Sequence, residues 1–172
     1  SKDAALEIVV APSSPQLQVR TATTSVWGPT EVTSDMAALL ISTGAPIFHV
    51  EAEVGQDWSL GTVETVPKSA LQEWYCYQKD KGKILRAQLA KPIVAGQQLR
   101  LEVRARASLS DVPLPASVGQ LKLLQFPKAD VARALLLLVN RLGDQQELLP
   151  ELSPAQLKVA DLDPEEAALL PS

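Results

Sequence analysis

The stretch LRLEVRARASL, residues 99–109, decides the fold class because its side chains alternate in polarity with a period of two. A helix would scatter the charges around its whole circumference, whereas a strand separates them onto one face. The pattern therefore predicts a strand with one face in a core and the other in water. The inward set is Leu99, Leu101, Val103, Ala105 and Ala107, and the outward set is Arg100, Glu102, Arg104 and Arg106.

Similar patterns upstream predict further strands. In IFHVEAEV, residues 47–54, the apolar members Phe48, Val50, Ala52 and Val54 are predicted to face inward, and His49, Glu51 and Glu53 outward. Further predicted strands are Leu6–Val10, residues 16–26 and a segment that ends at Val66. Met36–Ser42 is predicted to be a strand buried on both faces, and Pro67 to begin a single helical turn.

The stretch EWYCYQKDKGKILRAQL, residues 73–89, predicts a hairpin. Its strands are Trp74–Gln78 and Lys83–Ala90, and Gly82 in the polar turn between them is free to adopt positive φ. Alternation along the first strand places Trp74 and Cys76 on one face and Tyr75 and Tyr77 on the other. We expect Trp58 and Trp74 to be large core residues and Cys76 to be a small buried one.

The C-terminal third is less regular. Two prolines and no periodicity predict a linker over residues 111–117, so that residues 1–110 form one domain. Residues 118–172 either add strands to that domain or begin a second module. Residues 130–142 have the local propensity of a helix. Their apolar run RALLLLV would equally suit a buried strand, so both interpretations stay open. A short helix is predicted after Asp163.

Composition narrows the function classes. The net charge of −4 argues against nucleic acid or an anionic membrane surface as a partner. One cysteine cannot form an internal disulfide, and no apolar run approaches the ~20 residues that cross a bilayer, so no membrane insertion by this chain is expected. The chain opens with Ser1 rather than Met, and we expect it to be a segment of a longer protein.

The chemistry-bearing residues are few. His49 is the sole histidine, which removes multi-histidine metal sites, and on the charged face of its strand it is most simply a surface residue. The sequence contains no Gly-rich phosphate loop and no G-x-S-x-G motif. We therefore predict no catalytic residue, no metal and no cofactor. A hydrolase, which would depend on His49, is the least favoured class.

The aromatic residues offer an alternative function. Flat aromatic faces suit pyranose rings, so Tyr75 and Tyr77, together with Trp27, are candidate contacts of a carbohydrate-binding module. Placement of the large aromatics in the core is the competing interpretation, because a core with few aromatic residues needs its large ones inside.

Residues 48–109 resemble the β-sandwich modules of large, uncharacterised bacterial exported or envelope proteins. The likeness lies in an alternating strand, a D-W turn at Asp57 and Trp58, the strand end V-E-x-V-P, the Trp-bearing hairpin, L-x-K-P-I and the strand LRLEVRAR. The resemblance implies an extracytoplasmic location, in the periplasm or at the cell surface, and it favours a strand for RALLLLV.

Together these observations predict a mainly β protein built as a two-sheet antiparallel β-sandwich, immunoglobulin-like or related. Its C-terminal extension is expected to mix strand and short helix. The expected role is non-enzymatic, as a structural or adhesive module of a larger bacterial envelope or secreted protein. The expected partners are neighbouring modules of the same chain or other envelope proteins, with glycan as the ligand of the alternative function.

Overall fold

The computed structural model describes residues 15–80, 82–108, 110, 122–141 and 164–169, and the statements below concern these residues. They form nine strands, one 3₁₀ turn at Lys68–Ala70 and one helix, α1, at Pro164–Leu169. The strands are β1 Leu17–Trp27, β2 Glu31–Ser42, β3 Ile47–Val54, β4 Ser59–Val66, β5 Leu71–Lys79, β6 Gly82–Ile93, β7 Gln98–Ser108, β8 Leu124–Gln125 and β9 Asp130–Asn140.

The strands form two sheets that share one core, which confirms the predicted β-sandwich. One sheet has five strands in the order β4-β7-β2-β1-β9, and the other has four in the order β5-β6-β3-β8. Neighbours are antiparallel except β1 and β9, which run parallel, so the five-stranded sheet is mixed. The largest fully buried side chains come from both sheets and include Trp27, Trp58, Leu40, Leu85 and Leu101.

Strand β7 places its side chains as the alternation predicts. Its inward side chains are all buried, with Leu101 1% and Val103 3% exposed. On the outward face Arg100 Nε lies 2.8 Å from the carboxylate of Glu102, and Arg104 Nε lies 2.5 Å from that of Asp35. The arginines of this face are thus paired or solvated, because their strand has water on one side.

The predicted inward position of Phe48 is wrong. Pairing between β3 and β6 is irregular between Ile47 and His49, so the alternation shifts by one residue at this point. Ile47 takes the inward position at 6% exposure, and Phe48 is 57% exposed. Beyond the irregularity Val50, Ala52 and Val54 are buried as predicted.

The β5–β6 hairpin is confirmed, but its left-handed residue is Asp80, with φ of 52°, and not Gly82. Aspartate tolerates this conformation because its short side chain can form local hydrogen bonds. The single helical turn predicted after Pro67 is present as the 3₁₀ turn.

The C-terminal part contributes strands to both sheets. β8 pairs with β3, and β9 pairs along its length with β1, so residues 130–140 are a strand rather than a helix. Helix α1 lies where a short helix was predicted and contacts β1 and β2, and Arg100 Nη1 donates a hydrogen bond to the Ala168 carbonyl at 2.9 Å. The predicted strand Leu6–Val10 and the predicted linker 111–117 lie outside the described residues, and the domain boundaries stay predictions.

Gly55 is the point at which the segment before β8 approaches the β3–β4 turn. Its N–H donates to the Leu123 carbonyl at 3.0 Å. A Cβ at this position would lie 2.5 Å from the Lys122 carbonyl oxygen and 2.6 Å from Trp58 Cδ1. Neither neighbour can move aside easily, because the Lys122 oxygen belongs to the backbone and the Trp58 indole is fully buried. The position therefore has no room for a side chain.

We predict that Gly55→Ala lowers the free energy of unfolding by about 1–3 kcal/mol, because the added methyl group must displace backbone or a buried indole. Urea unfolding followed by tryptophan fluorescence measures the change. Gly61→Ala is the matched control, since its Cβ would meet its nearest atom, the Arg104 carbonyl oxygen, at an ordinary 3.5 Å. Equal midpoints for the two variants would contradict the assignment.

Candidate functional site

The tyrosine pair predicted from the sequence lies on the outer face of the four-stranded sheet. Strand β5 places Tyr75 opposite Arg86 and Tyr77 opposite Ile84 of β6, on the face turned away from the core. The two rings are tilted by 42° with their centroids 6.0 Å apart. Tyr75 is 45% exposed and Tyr77 is half-buried, so one ring face is available to a ligand and the other ring supports it.

Glu51 of β3 connects this pair to three neighbouring segments. Its Oε1 accepts hydrogen bonds from the Tyr77 hydroxyl and from Arg86 Nη1, each at 3.2 Å. Its Oε2 accepts one from Lys128 Nζ, also at 3.2 Å, in the turn between β8 and β9. The carboxylate therefore fixes the orientation of Tyr77 and holds the turn after β8 against the sheet.

These contacts perturb two titrations in opposite directions. Burial by itself raises the pKa of Glu51, but hydrogen bonds from Lys128 and Tyr77 and the charges of Lys128 and Arg86 outweigh it, and the pKa is lowered. The pKa of Tyr77 is raised, first by partial burial and then by the charge and hydrogen bond of Glu51. The site therefore holds an ionised carboxylate and a protonated phenol at neutral pH.

A shallow hollow of about 510 Å³ lies beside this carboxylate. Polar groups from the hairpin turn and from the β8–β9 turn surround it, which gives hydrogen-bond donors and acceptors on opposite sides. Its polar lining is Glu51, Glu53, Gln56, Tyr77, Lys79, Asp80, Lys83, Gln125 and Lys128. An exposed aromatic ring next to such groups is the arrangement by which proteins contact polar, ring-shaped ligands.

Trp27, the third residue proposed for carbohydrate contact, is not part of this surface. It ends β1 in the other sheet and is fully buried in the core. Packing between the sheets encloses its indole. Its assignment as a ligand contact is therefore wrong.

Cys76 and His49 are both exposed. Cys76 lies opposite the buried Leu85, on the inner face as predicted, but its predicted burial is wrong. Strand β5 is the terminal strand of its sheet in the described fold. On its inner face, Trp74 packs partly against the core, whereas Cys76 lies beyond the residues that the opposite sheet covers. Within the described ranges, no cluster of three or more His, Cys, Asp or Glu side chains is placed to hold a metal ion.

A second surface of interest is the free side of β9, which we call the β9 edge. Among the described residues, β9 is the terminal strand of the five-stranded sheet and pairs on one side with β1. Its side chains include three exposed large apolar groups, Val131 at 44%, Leu136 at 37% and Leu137 at 46%. Sequence reasoning identified this segment as a candidate buried strand and did not anticipate that it would end a sheet.

Comparison with known proteins finds only weak similarity to solved structures. The chain matches no protein-family model and no curated protein. Among solved structures, it is similar to a mutant M1 zinc metallopeptidase from Deinococcus radiodurans bound to a Tyr-Ser-Ala substrate, at 11% identity and a TM-score of 0.43 over 54% of this chain and 21% of that one.

A mutant two-domain M1 zinc metallopeptidase bound to L-tryptophan is similar at 11% identity and a TM-score of 0.44, over 64% of this chain and 24% of that one. The chain thus spans about a fifth to a quarter of the length of these structures. Likeness at these scores carries no argument about activity. No helix in the described part of the chain has the length and apolar content needed to cross a bilayer.

We predict that Glu51→Gln lowers the free energy of unfolding at pH 7 by about 1 kcal/mol, because three donors lose their charged acceptor at a partly solvated site. Because folding lowers the pKa of Glu51, its contribution is present above the ordinary value of 4.5 and is lost as the pH falls through the folded value. Urea unfolding at pH 7 and below pH 4.5 should therefore show a difference from wild type that shrinks in acid.

Glu53→Gln is the control for this experiment. Glu53 lies two residues along the same strand on the same face, is exposed, and has no ion pair within the described residues. We expect its substitution to change the unfolding free energy by less than about 0.5 kcal/mol at either pH. A loss in Glu51→Gln that is the same at both pH values would contradict the role of its charge.

Proposed function

We propose that this chain is a non-enzymatic structural or adhesive β-sandwich module of a larger bacterial envelope or secreted protein. Its mechanism is rigid display of loops and sheet edges to neighbouring modules. The β9 edge is the observation that carries the proposal. The resemblance of residues 48–109 to modules of exported and envelope proteins supports the extracytoplasmic location.

Within the described residues, the β9 edge is long and largely apolar for a terminal strand. Terminal strands of soluble proteins are commonly short or carry proline or inward-pointing charges, because their unpaired backbone groups otherwise recruit another strand. β9 has eleven residues, no proline and six consecutive apolar residues from Ala134 to Val139. A surface of this kind is typical of a contact between modules.

Hydrogen exchange on the full-length protein tests the contact. We expect the amides on the free side of β9 to exchange slowly, because a neighbouring module covers them. Strand β5 is the internal control, since it also ends a sheet in the described fold but carries Gln72, Glu73 and Lys79 at exposed positions. Exchange at β9 as fast as at the free side of β5 would contradict a covered edge.

Labelling of the exposed Cys76 thiol tests the cellular location of the protein. We expect a membrane-impermeant maleimide to label the full-length protein in intact cells, or after the outer membrane alone is permeabilised. The Cys76→Ser variant reports labelling of any other cysteine in the full-length chain. Labelling of Cys76 that requires rupture of the inner membrane would place the protein in the cytoplasm and refute the proposal.

The exposed ring of Tyr75, supported by the half-buried Tyr77, favours a second candidate function, carbohydrate binding. Tyr75 presents a ring to solvent, Tyr77 is held by Glu51, and polar groups surround the adjacent hollow. This arrangement suits a sugar, whose ring stacks on an aromatic face while its hydroxyl groups form hydrogen bonds. The candidate ligand surface consists of Tyr75 and Tyr77 without Trp27.

A glycan array with wild type and Tyr75→Ala separates the two candidates. If the surface binds sugar, we expect the wild-type signal to fall about fivefold or more in the variant, since ligand stacking on an aromatic ring is worth about 1–3 kcal/mol. Phe48→Ala is the control, because it removes an aromatic ring that is 57% exposed on β3. No binding by wild type, or equal binding by wild type and Tyr75→Ala, removes this candidate.

A further inference from the structure

We infer that the inner side of the β8–β9 connection is a binding site for a single hydrocarbon chain with an anionic head, as in a free fatty acid. The hydrocarbon lies in an apolar hollow between the two sheets, which we call the inter-sheet hollow, and the head group contacts Lys122. The inference goes beyond the proposed function, because it assigns a small-molecule ligand to a part of the sandwich that the proposed function leaves without one.

The chain crosses from one sheet to the other at this connection. The segment 122–127 contains β8 of the four-stranded sheet, and β9 belongs to the five-stranded sheet. The turn that joins them is closed by the Ala129 N–H, which donates to the Phe126 carbonyl at 3.1 Å. The two arms therefore lie on opposite sides of the core, and the inter-sheet hollow, of about 400 Å³, lies between them.

Small side chains leave this space open. Thr21 and Thr23 of β1 and Ala134 of β9 line the base of the inter-sheet hollow, whereas the core elsewhere is filled by Trp27 and Trp58. Closely packed protein interiors have few voids larger than a water molecule. The volume of this hollow instead falls in the ~300–1,000 Å³ range of ligand sites.

The walls of the inter-sheet hollow are apolar. Leu124 and Phe126 are buried on one side, and Val131 and Leu136 remain exposed on the other. Water molecules in such a hollow find few hydrogen-bond partners. A hydrocarbon chain that replaces them covers the exposed parts of both β9 side chains, which is favourable in proportion to the apolar area removed from water.

A hydrocarbon chain fits the inter-sheet hollow better than a peptide segment does. Each peptide residue brings backbone N–H and C=O groups that need hydrogen-bond partners when they are buried. Among the described lining residues, the polar side chains are Thr21, Thr23, Lys122 and Gln125. These are too few to satisfy a peptide backbone, whereas a hydrocarbon chain has no such groups.

Lys122 selects the charge of the head group. Its side chain is exposed and is the one charged group among the described residues that line the inter-sheet hollow. Within the described fold, no ion pair involves its amine. Lys122 lies at the end of its arm farthest from the turn, so a ligand whose tail points toward the turn places its head beside this amine. A carboxylate is attracted there and a cation is repelled.

Titration calorimetry of the full-length protein with decanoate, decanol and decyltrimethylammonium tests the head group, because the three probes share one chain length. Each probe is used below its micelle concentration. We expect decanoate to bind about fivefold tighter than decanol, and the cationic probe to bind weakest. In Lys122→Gln, decanoate and decanol should bind equally. No binding of decanoate by wild type, or a preference for decanoate that survives Lys122→Gln, overturns the inference.

The length of the probe tests burial of the chain. Octanoate has two CH₂ groups fewer than decanoate, and each buried CH₂ group raises affinity about fourfold. We therefore expect octanoate to bind about tenfold more weakly than decanoate. Equal affinities would show that the chain stays in water and would overturn the inference.

Filling the inter-sheet hollow with a side chain tests its location. Ala134 is exposed and lines the hollow, so Ala134→Trp places an indole where the ligand chain would lie. We expect this variant to bind decanoate at least about tenfold more weakly than wild type. Ala132→Trp is the matched control, since Ala132 is an exposed alanine of the same strand outside the described lining. Circular dichroism checks that both variants retain the β fold. Unchanged binding by Ala134→Trp, or an equal loss in the two variants, overturns the assignment.

Sedimentation with phosphatidylglycerol vesicles separates a free amphiphile from a bilayer as the ligand. The net charge of −4 opposes adsorption to an anionic surface, so we expect the protein to stay in the supernatant. Co-sedimentation of wild type without binding of free decanoate would make the hollow a membrane contact and would overturn the inference. Neither result changes the hydrogen-exchange test of the proposed function, which reports on the backbone amides of β9.

Discussion

The sandwich depends on the inward row of β7, which presents Leu101 and Val103 to the opposing sheet while the strand pairs with β2 on one side and β4 on the other. Because alternate residues of β7 carry charge, the strand can be buried on one face only, and its inner face must be covered by a second layer. The four-stranded sheet supplies that layer with Val50, Ala52 and Leu85. Two layers of small aliphatic residues then enclose Trp27 and Trp58, which fill the space that aliphatic side chains leave.

The two ends of the sandwich differ in how the sheets close. At one end β5 is a terminal strand with polar positions, and the Glu51 carboxylate holds its outer face through Tyr77 and Arg86. At the other end β9 is terminal among the described residues, and its Val131, Leu136 and Leu137 are exposed. The two candidate surfaces therefore differ in chemistry. The tyrosine surface presents a ring and polar groups, whereas the β9 edge presents aliphatic side chains.

Several features of the candidate surfaces could be predicted from the sequence. Alternation in β5 places Tyr75 and Tyr77 together on the face away from the core, and the structure confirms this arrangement. Lys128 could not be associated with Glu51, because the two residues are 77 positions apart and the contact requires the turn after β8 to lie beside β3. The burial of Trp27 and the exposure of Cys76 also depend on which part of each strand the opposite sheet covers, which no local pattern records.

Side-chain periodicity by itself determined the strands of alternating polarity, the class of fold and the inner face of β7, because polarity in a strand with one buried face repeats every two residues. Tertiary structure decided the rest through pairing. Residues 130–140 have helical propensity, yet they extend because β1 offers a free row of backbone groups to a segment more than a hundred residues away. The irregular pairing of β3 with β6 likewise turned Phe48 outward, since a shift of one residue in a strand exchanges its two faces.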